Sequence, residues 1–265
     1  MFAVLTFFVI LVVSVAKVRS SELNFGFVKT DLETGHVQFI DEYGALHLKS
    51  GKVLKLADIY VPDSSEGENT RPFPQEVIDD AEGRDIFYNA IGEADRFGRL
   101  PAHVWFQTQT DAKDWMQERL IGDGLARVMP TNIGKRQTQG HCLQAHYLSL
   151  LMKAEQTAGL QFSGKLTPIN ANDKRLIGKY GQFVVVEGTI RDIYKTKRIM
   201  KLNFGFNWRT DFTILLSGDV KSLMESRLNA SEDIEGHFAT VRGFLVEEDG
   251  PMIKLDHLHQ LELAN

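Results

Sequence analysis

The 265-residue chain is 43% hydrophobic and 25% charged, a composition that excludes an intrinsically disordered protein. Its formal net charge of -5 excludes a protein that coats nucleic acid through overall charge, so a polyanion would have to bind a local basic patch. The single cysteine, Cys142, excludes an internal disulfide and a metal cluster built from cysteines.

The chain opens with an uncharged apolar run from Phe2 to Ala16. As a helix this run would span about 23 Å, which is short of the roughly 30 Å hydrocarbon core of a bilayer. We therefore expect residues 1–20 to be a signal peptide, or alternatively a short uncleaved anchor through residues 2–16. In both cases the protein is exported, either to the periplasm or as a secreted protein.

Short runs of β-forming residues between glycine turns predict strands in the first half, in "HVQFI", "ALHLKSGKVLKLADIYV" and "LPAHVWFQT". A Ser-Gly pair at 50–51 predicts a hairpin within the second of these runs. Helical spacing predicts a helix over residues 74–91, a second from Thr110 or Asp111 to the glycines at 122–124, and a third from about residue 142 to 158. Strands with interleaved helices predict a small β-barrel with packed helices.

A segment rich in glycine, proline and asparagine, residues 163–178, predicts a linker. Beyond it the sequence predicts about five strands with one helix before the fourth, which is the strand count of an OB-type barrel. The predicted organisation is a first domain over 24–162, the linker, and an OB-like domain over 179–265. The predicted fold class is mainly β with helices (α+β), a barrel with packed helices followed by a second OB-like β-barrel.

Several first-half segments occur in a recognisable order: "VLKLADIYVPD", "DRFGRLPAHVWF", "WMQERLIGDGLARVMP" and "LLMKAEQTAGL". Together they resemble the thermonuclease family, whose members carry a D-x-[FY]-G-R turn, a helix ending in G-L-A-x-V and a later helix with A-E. The resemblance covers roughly Val37 to Leu160 and implies a nuclease-like OB barrel. "KLNFGFNWRTDFTI" and "VRGFLVEEDGPMI" resemble the extra OB-like domain appended to some bacterial members.

The resemblance implies calcium-assisted phosphodiester hydrolysis and assigns three candidate catalytic positions. Arg99 matches the family's second arginine, and Asp63 matches its glutamate with a side chain one methylene shorter. Lys55 stands in the place of the first arginine, where it keeps the charge but loses the fork that fits two phosphate oxygens. As structural alternatives, Arg99 braces the turn through Asp95, Asp63 is a turn residue and Lys55 is an ordinary solvated lysine.

The metal ligands implied by the family are replaced. Tyr60, expected as a packed ring, stands where the family has an aspartate, and the first-hairpin aspartate falls on Tyr43 or Gly44. Asp41 and Glu42 offer carboxylates only if that loop is rearranged, so we expect no cofactor unless the site is active with calcium. The resulting hypothesis is a module that has lost hydrolysis and binds nucleic acid or protein. The alternative is an active calcium-dependent nuclease with a rearranged metal site.

Basic and aromatic residues alternate in "IRDIYKTKRIMKLNFGFNW" of the second half. On an OB barrel this pattern is typical of single-stranded nucleic-acid binding, in which cations follow phosphates and rings stack on bases. A solvated basic hairpin with aromatic core positions is the structural alternative. The candidate nucleic-acid-binding residues are Arg191, Lys195, Lys197, Arg198, Lys201 and Trp208.

Overall fold

The computed structural model describes residues 32–62, 73–107, 113–132, 138–161, 168–207, 209–228 and 234–264. All of these lie in one compact unit, Leu32–Asn265. The predicted leader, residues 1–20, lies outside the described residues, as do Asp63 and Trp208. In the part of the chain that is described, no helix is long and apolar enough to cross a membrane.

Within its described residues, the first half contains eight short strands and three helices. In chain order they are β1 (Glu33–Ile40), β2 (Leu46–Leu48), β3 (Val53–Leu56), β4 (Ile59–Tyr60), α1 (Gln75–Ala81), β5 (Asp85–Ala90), β6 (Arg99–Gln107), β7 (Lys113–Trp115), α2 (Met116–Gly122), β8 (Arg127–Val128) and α3 (Thr138–Gln161). The strands pair in the order β3-β2-β1-β5-β6, and a parallel β3–β6 pairing closes them into a barrel. β7 pairs in antiparallel with the end of β6, and β4 and β8 pair with each other in a separate two-stranded sheet.

The barrel forms because its strands bury alternate residues, as a half-buried strand must. In β3, for example, Leu54 and Leu56 are buried while Lys55 between them is exposed. The predicted hairpin is confirmed between β2 and β3, where Gly51 adopts a φ of 83° and its N–H donates to Leu48 O at 2.9 Å. Glycine tolerates this left-handed conformation because it has no Cβ.

The predicted helix over residues 74–91 is wrong in its second half. Helix α1 ends at Ala81, Gly83 turns the chain with a φ of 74°, and strand β5 follows. Ile86 and Tyr88 alternate with more exposed neighbours, which is the period of a strand. Because β5 pairs with both β1 and β6, its backbone groups are satisfied on two sides, and this pairing overrides the local helical spacing.

The other two helix predictions differ in accuracy. The second predicted helix ends at the predicted glycines, since α2 ends at Gly122, but it begins later than predicted, at Met116 after strand β7. The helix predicted from about residue 142 to 158 is confirmed as α3, which extends beyond the predicted residues at both ends. α2 and α3 pack against the first barrel, with Leu120 and Leu151 fully buried.

The described part of the second half adds eight strands, one α-helix and two short 3-10 helices. In chain order they are β9 (Ile169–Asn170), a 3-10 helix (Lys174–Lys179), β10 (Phe183–Thr189), β11 (Asp192–Lys195), β12 (Ile199–Asn203), β13 (Thr213–Ser217), α4 (Gly218–Arg227), β14 (Phe238–Glu247), β15 (Pro251–Lys254), a 3-10 helix (Leu258–Gln260) and β16 (Leu261–Leu263). They pair in the order β11-β12-β13-β15-β14-β10-β9, and β16 pairs with β14.

β10 and β11 act as one bent strand that closes this second barrel. At the bend the Ile190 N–H donates to His237 O at 3.0 Å, and the Arg191 N–H donates to Asn203 O at 2.7 Å on the other side. Counted in this way, the barrel has five strands with helix α4 before the fourth, as the sequence predicts. The fold is therefore mixed α+β, mostly strands with few helices, and contains a closed five-stranded OB-like barrel.

The two halves share one topology although no residue-level repeat relates them. In each, the third strand pairs in parallel with the fifth, as β3 does with β6 and β13 does with β15. In each, a helix connects the third strand to the fourth. This shared connectivity, with a helix after the third strand, is compatible with an OB-type Greek-key barrel.

The segment predicted as a linker, residues 163–178, is partly built into the second barrel. Strand β9 pairs in parallel with β10. Ala171 and Leu176 are buried in the core of the second half. The sequence predicts that the second domain begins at residue 179, but its packed structure begins earlier, at strand β9.

A buried ion pair connects the two halves. Arg242 on β14 bonds to the carboxylate of Glu155 on α3, and their side chains are 6% and 11% exposed. The other Glu155 oxygen accepts the Val128 N–H at 2.8 Å, and Arg242 also bonds to Glu262 on β16. Glu155 therefore joins α3, β8 and the second barrel through one carboxylate.

We predict that Glu155→Ala destabilises the protein by about 3–5 kcal/mol, because it removes the buried partner of the Arg242 guanidinium and leaves it only the half-exposed Glu262. Urea unfolding of the full chain measures this change. The matched control is Glu262→Gln, which removes the 47% exposed partner of the same arginine and should cost about 1 kcal/mol or less. Equal, small losses for both variants would contradict the assigned role of Glu155.

Candidate functional site

A cleft of about 1000 Å³ opens beside the first barrel, and second-barrel residues Phe244 and Asp256 also line it. Lys55 and Arg99, the positions that the sequence analysis selected, both line this cleft. They are brought together by the parallel pairing of β3 and β6, in which Val53 is opposite Arg99 and Lys55 is opposite Pro101. The third candidate, Asp63, follows β4 but lies outside the described residues.

Arg99 is occupied by an ion pair within its own turn. Its Nε and Nη2 atoms lie 2.9 and 2.8 Å from Oδ2 of Asp95, and its backbone N–H donates to Oδ1 at 3.1 Å. Partial burial tends to raise the pKa of Asp95, but the hydrogen bonds from Arg99 and Phe97 outweigh it and lower that pKa. Arg99 therefore braces the turn before β6, and a phosphate would have to compete with Asp95 for it.

Lys55 is exposed, and no ion pair of its ammonium group occurs among the described residues. The cleft also carries the carboxylates of Glu93, Asp95 and Asp256. The acidic side chains therefore offset Lys55 and Arg99. Because these carboxylates would repel negatively charged phosphates, the cleft is electrostatically unfavourable for a nucleic-acid strand.

The turn between β1 and β2 uses its aspartate to hold its own backbone. Asp41 Oδ1 accepts the N–H groups of Tyr43 and Ala45 at 3.0 and 2.9 Å, and Oδ2 lies 3.1 Å from His47 Nε2. Glu42 is exposed in the same turn. Asp41 is thus committed to the turn, and its release for a metal would cost these hydrogen bonds.

Gly44 of this turn lies directly against the ring of Phe73. A Cβ at Gly44 would fall 2.4 Å from ring carbons, and the residue also has a φ of 77°, so an aspartate does not fit at this position. Tyr43 beside it is 74% exposed. In the described part of the chain, no group of three or more His, Cys, Asp or Glu side chains could hold a metal ion.

Tyr60 packs as a ring, but against the second barrel. Its centroid lies 4.8 Å from that of Phe183 on β10 and 5.3 Å from that of Phe244 on β14. The two phenylalanine rings are themselves 5.8 Å apart in an edge-on arrangement. Tyr60 therefore contributes to the contact between the halves at one wall of the cleft.

A buried polar network that the sequence analysis missed lies behind the cleft. Asp58 is fully buried with a φ of 61°, and its Oδ1 accepts the Thr131 N–H at 2.8 Å and a Gln144 Nε2–H at 2.7 Å. Its Oδ2 lies 3.1 Å from Nε2 of His103. The sequence gives no local signal for this network, since its members are far apart along the chain.

His103 in this network is enclosed by aromatic rings. Its centroid is 3.9 Å from that of Tyr147 and 5.3 Å from that of Trp115, and the histidine is fully buried. Burial lowers the pKa of His103 below its usual value near 6.5, although the hydrogen bond that His103 donates to Asp58 and the negative charge of that carboxylate act in the opposite direction. His103 is therefore neutral in the folded protein at neutral pH, with Nε2–H donating to Asp58.

The β11–β12 hairpin of the second barrel presents the basic residues selected from the sequence. Arg191, Lys195, Lys197 and Arg198 are exposed, and Lys201 is half-buried. The sixth candidate, Trp208, lies outside the described residues. Among the aromatic residues of this segment, Phe204 is buried, whereas Tyr194 and Phe206 are 54% and 88% exposed.

The charges of this hairpin are only partly compensated. The Lys195 ammonium lies 2.6 Å from Oε1 of Glu225, and Lys221 lies 2.8 Å from the same oxygen. Hydrogen bonds from the two lysines lower the pKa of Glu225. One carboxylate is thus shared by two ammonium groups, and Lys197 and Arg198 form no ion pair with any described residue.

We predict that native-state stability falls as pH decreases below about 6.5, because the unfolded protein protonates His103 while the folded protein keeps it neutral. The contribution of neutral His103 to the free energy of unfolding is fully present above pH 6.5. It decreases by up to about 1.4 kcal/mol per pH unit as the pH falls from 6.5 toward the lower pKa of His103 in the folded protein. His103→Asn should show a shallower pH dependence in urea unfolding. If that variant does not fold, an NMR titration of native His103 with a pKa at or above 6.5 contradicts the prediction.

Comparison with known proteins adds no assignment to these sites. No protein-family model matches the chain, and the curated proteins contain no significant match to it. Two surfaces of the molecule remain as candidate sites: the mixed-charge cleft that contains Lys55 and Arg99, and the basic β11–β12 hairpin.

Proposed function

We propose that the protein is a non-hydrolytic module that binds single-stranded nucleic acid through the β11–β12 hairpin of its second barrel. The observation that carries this proposal is the group of exposed cations on one hairpin, Arg191, Lys195, Lys197 and Arg198, beside the exposed ring of Tyr194. Phosphate groups bind such cations, and unpaired bases stack on exposed rings. A local basic patch also reconciles nucleic-acid binding with the net charge of -5.

The position of this hairpin supports the proposal. It connects the first two strands of the OB-like barrel, and ligands of OB barrels bind across the second and third strands between the loops that follow the first and fourth strands. The sharing of Glu225 between Lys195 and Lys221 leaves a net positive charge there. The structural alternative, a solvated basic hairpin with aromatic core positions, accounts for the exposed Lys197 and Arg198 but not for the rings of Tyr194 and Phe206, which are exposed rather than in the core.

The proposal treats the first barrel as a divergent thermonuclease-like domain that has lost hydrolysis. Four features support this view: Lys55 replaces an arginine, Arg99 is engaged by Asp95, Asp41 is committed to its turn, and Gly44 lies against Phe73. A calcium-assisted reaction would require hard carboxylate ligands held in front of the two cations. The contacts of Asp41 and Gly44 oppose such an arrangement.

We predict that replacing Lys195, Lys197 and Arg198 together with alanine weakens oligothymidylate binding at least about tenfold at low salt, because each cation contributes to phosphate binding. The slope of log affinity against log salt should fall in magnitude by up to about 2. Fluorescence anisotropy with a labelled oligonucleotide measures both quantities. The control Lys49→Ala/Lys153→Ala/Lys174→Ala removes the same charge from exposed sites elsewhere and should bind like wild type.

Three results would contradict the proposed function. The first is absence of salt-dependent binding by the wild-type protein, and the second is an equal effect of the two triple variants. The third is degradation of the oligonucleotide on adding calcium, by protein purified free of contaminating nuclease, since that result would favour the calcium-dependent enzyme.

A further inference from the structure

We infer that the bound strand lies across the second barrel, perpendicular to its β-strands, along an outward-facing row that begins at Tyr194 and ends at Phe244. This inference rests on the proposed function and deepens it, because it assigns the path of the nucleic acid and adds binding residues outside the basic hairpin. We call the five residues Tyr194, Lys201, Leu215, Lys254 and Phe244 the crossing row.

The strand register places these residues side by side. Tyr194 is opposite Lys201, Lys201 is opposite Leu215, and Leu215 is opposite Lys254. The pairing of Leu245 with Ile253 on the next strand brings Phe244 to the end of the row. The row crosses four spacings between neighbouring strands, so it is about 19 Å long.

The crossing row faces away from the barrel core. The adjacent row through Leu202, Ile214, Ile253 and Leu245 is buried, and side chains of a strand alternate between faces. Tyr194 is 54% exposed, Phe244 is 43% exposed and the Lys254 side chain is 48% exposed. The half-buried Lys201 and Leu215 in the middle of the row lie on the second and third strands, which typically bind ligands in OB barrels.

The chemistry of the row matches a single strand rather than a duplex. An exposed tyrosine ring at one end and a phenylalanine ring at the other can stack on unpaired bases, whereas bases of a duplex are already stacked. Lys201 and Lys254 lie between the rings and can bind phosphates. Glu248 forms an ion pair with Lys254 and also attracts the charge of Lys201. This part of the row is therefore less positive than the hairpin.

The row has a natural end at Phe244, where the first half covers the barrel. The Tyr60 ring lies 5.3 Å from that of Phe244. Beyond it is the cleft with Glu93, Asp95 and Asp256, whose carboxylates repel phosphates. A strand that enters at the basic hairpin therefore stops at this boundary, which gives a binding site near the short end of the range for OB barrels, about 4 nucleotides.

The test compares Tyr194→Ala with Tyr194→Phe, and Lys201→Ala/Lys254→Ala with Lys49→Ala/Lys153→Ala, in the full chain. Anisotropy is measured with oligothymidylates of increasing length and with a hairpin duplex of matched charge. We expect Tyr194→Ala to weaken binding of the single strand about tenfold, while Tyr194→Phe retains the ring and the affinity. The crossing-row lysine variant should weaken binding, its control should not, and affinity should rise little with length once the row is filled.

The outcomes separate the inference from the function on which it rests. If wild type binds and the hairpin triple variant does not, but the Tyr194→Ala and Lys201→Ala/Lys254→Ala variants bind normally, the crossing row is wrong and the proposed function stands. An affinity of the wild-type protein for the duplex equal to that for the single strand would also contradict binding along the crossing row. If wild type does not bind any oligonucleotide, the proposed function itself fails. Thermal unfolding of each variant shows whether a loss of binding reflects a loss of folded protein.

Discussion

The arrangement of the two barrels depends on one buried charge pair, Arg242 with Glu155. A guanidinium at 6% exposure has lost most of its hydration, so it requires an acidic partner that is equally buried. Glu155 meets this requirement from α3 and also binds the backbone of Val128. The constraint therefore extends from the second barrel through α3 to the β4–β8 pair.

This constraint determines which surfaces remain available. β4 carries Tyr60, whose ring packs on Phe183 and Phe244, so the first half partly covers the outer face of β10 and β14 and leaves Phe244 43% exposed. The rest of the crossing row lies on the outer faces of β11, β12, β13 and β15. The same packing brings Phe244 and Asp256 to the cleft beside Lys55 and Arg99. Two surfaces result: a mixed-charge cleft and a basic, aromatic sheet face.

Local patterns in the sequence predict much of this fold but not all of it. The strands of the second half are predicted because runs such as "QFVVVEGT" and "TDFTILLSG" are rich in β-forming residues, and the structure then buries alternate residues, Val184 and Val186 in one strand and Ile214 and Leu216 in another. The helix predicted through 74–91 fails because the pairing of β5 with two neighbouring strands is a tertiary effect. At the site, the proximity of Lys55 and Arg99 was expected from the resemblance, and the engagement of Arg99 by Asp95 was the structural alternative considered for that arginine. The burial of Asp58 with His103 could not be predicted, because these residues are 45 positions apart and meet only in the folded chain.

Backbone amide shifts of the isotope-labelled full chain, followed by NMR during titration with a short oligothymidylate, test the central claim most directly. The account predicts that the largest shifts occur at Tyr194, Lys197, Arg198 and Lys201, and that Lys55 and Arg99 in the cleft change little. Shifts concentrated at the cleft, or shifts that remain unchanged throughout the titration, would contradict it.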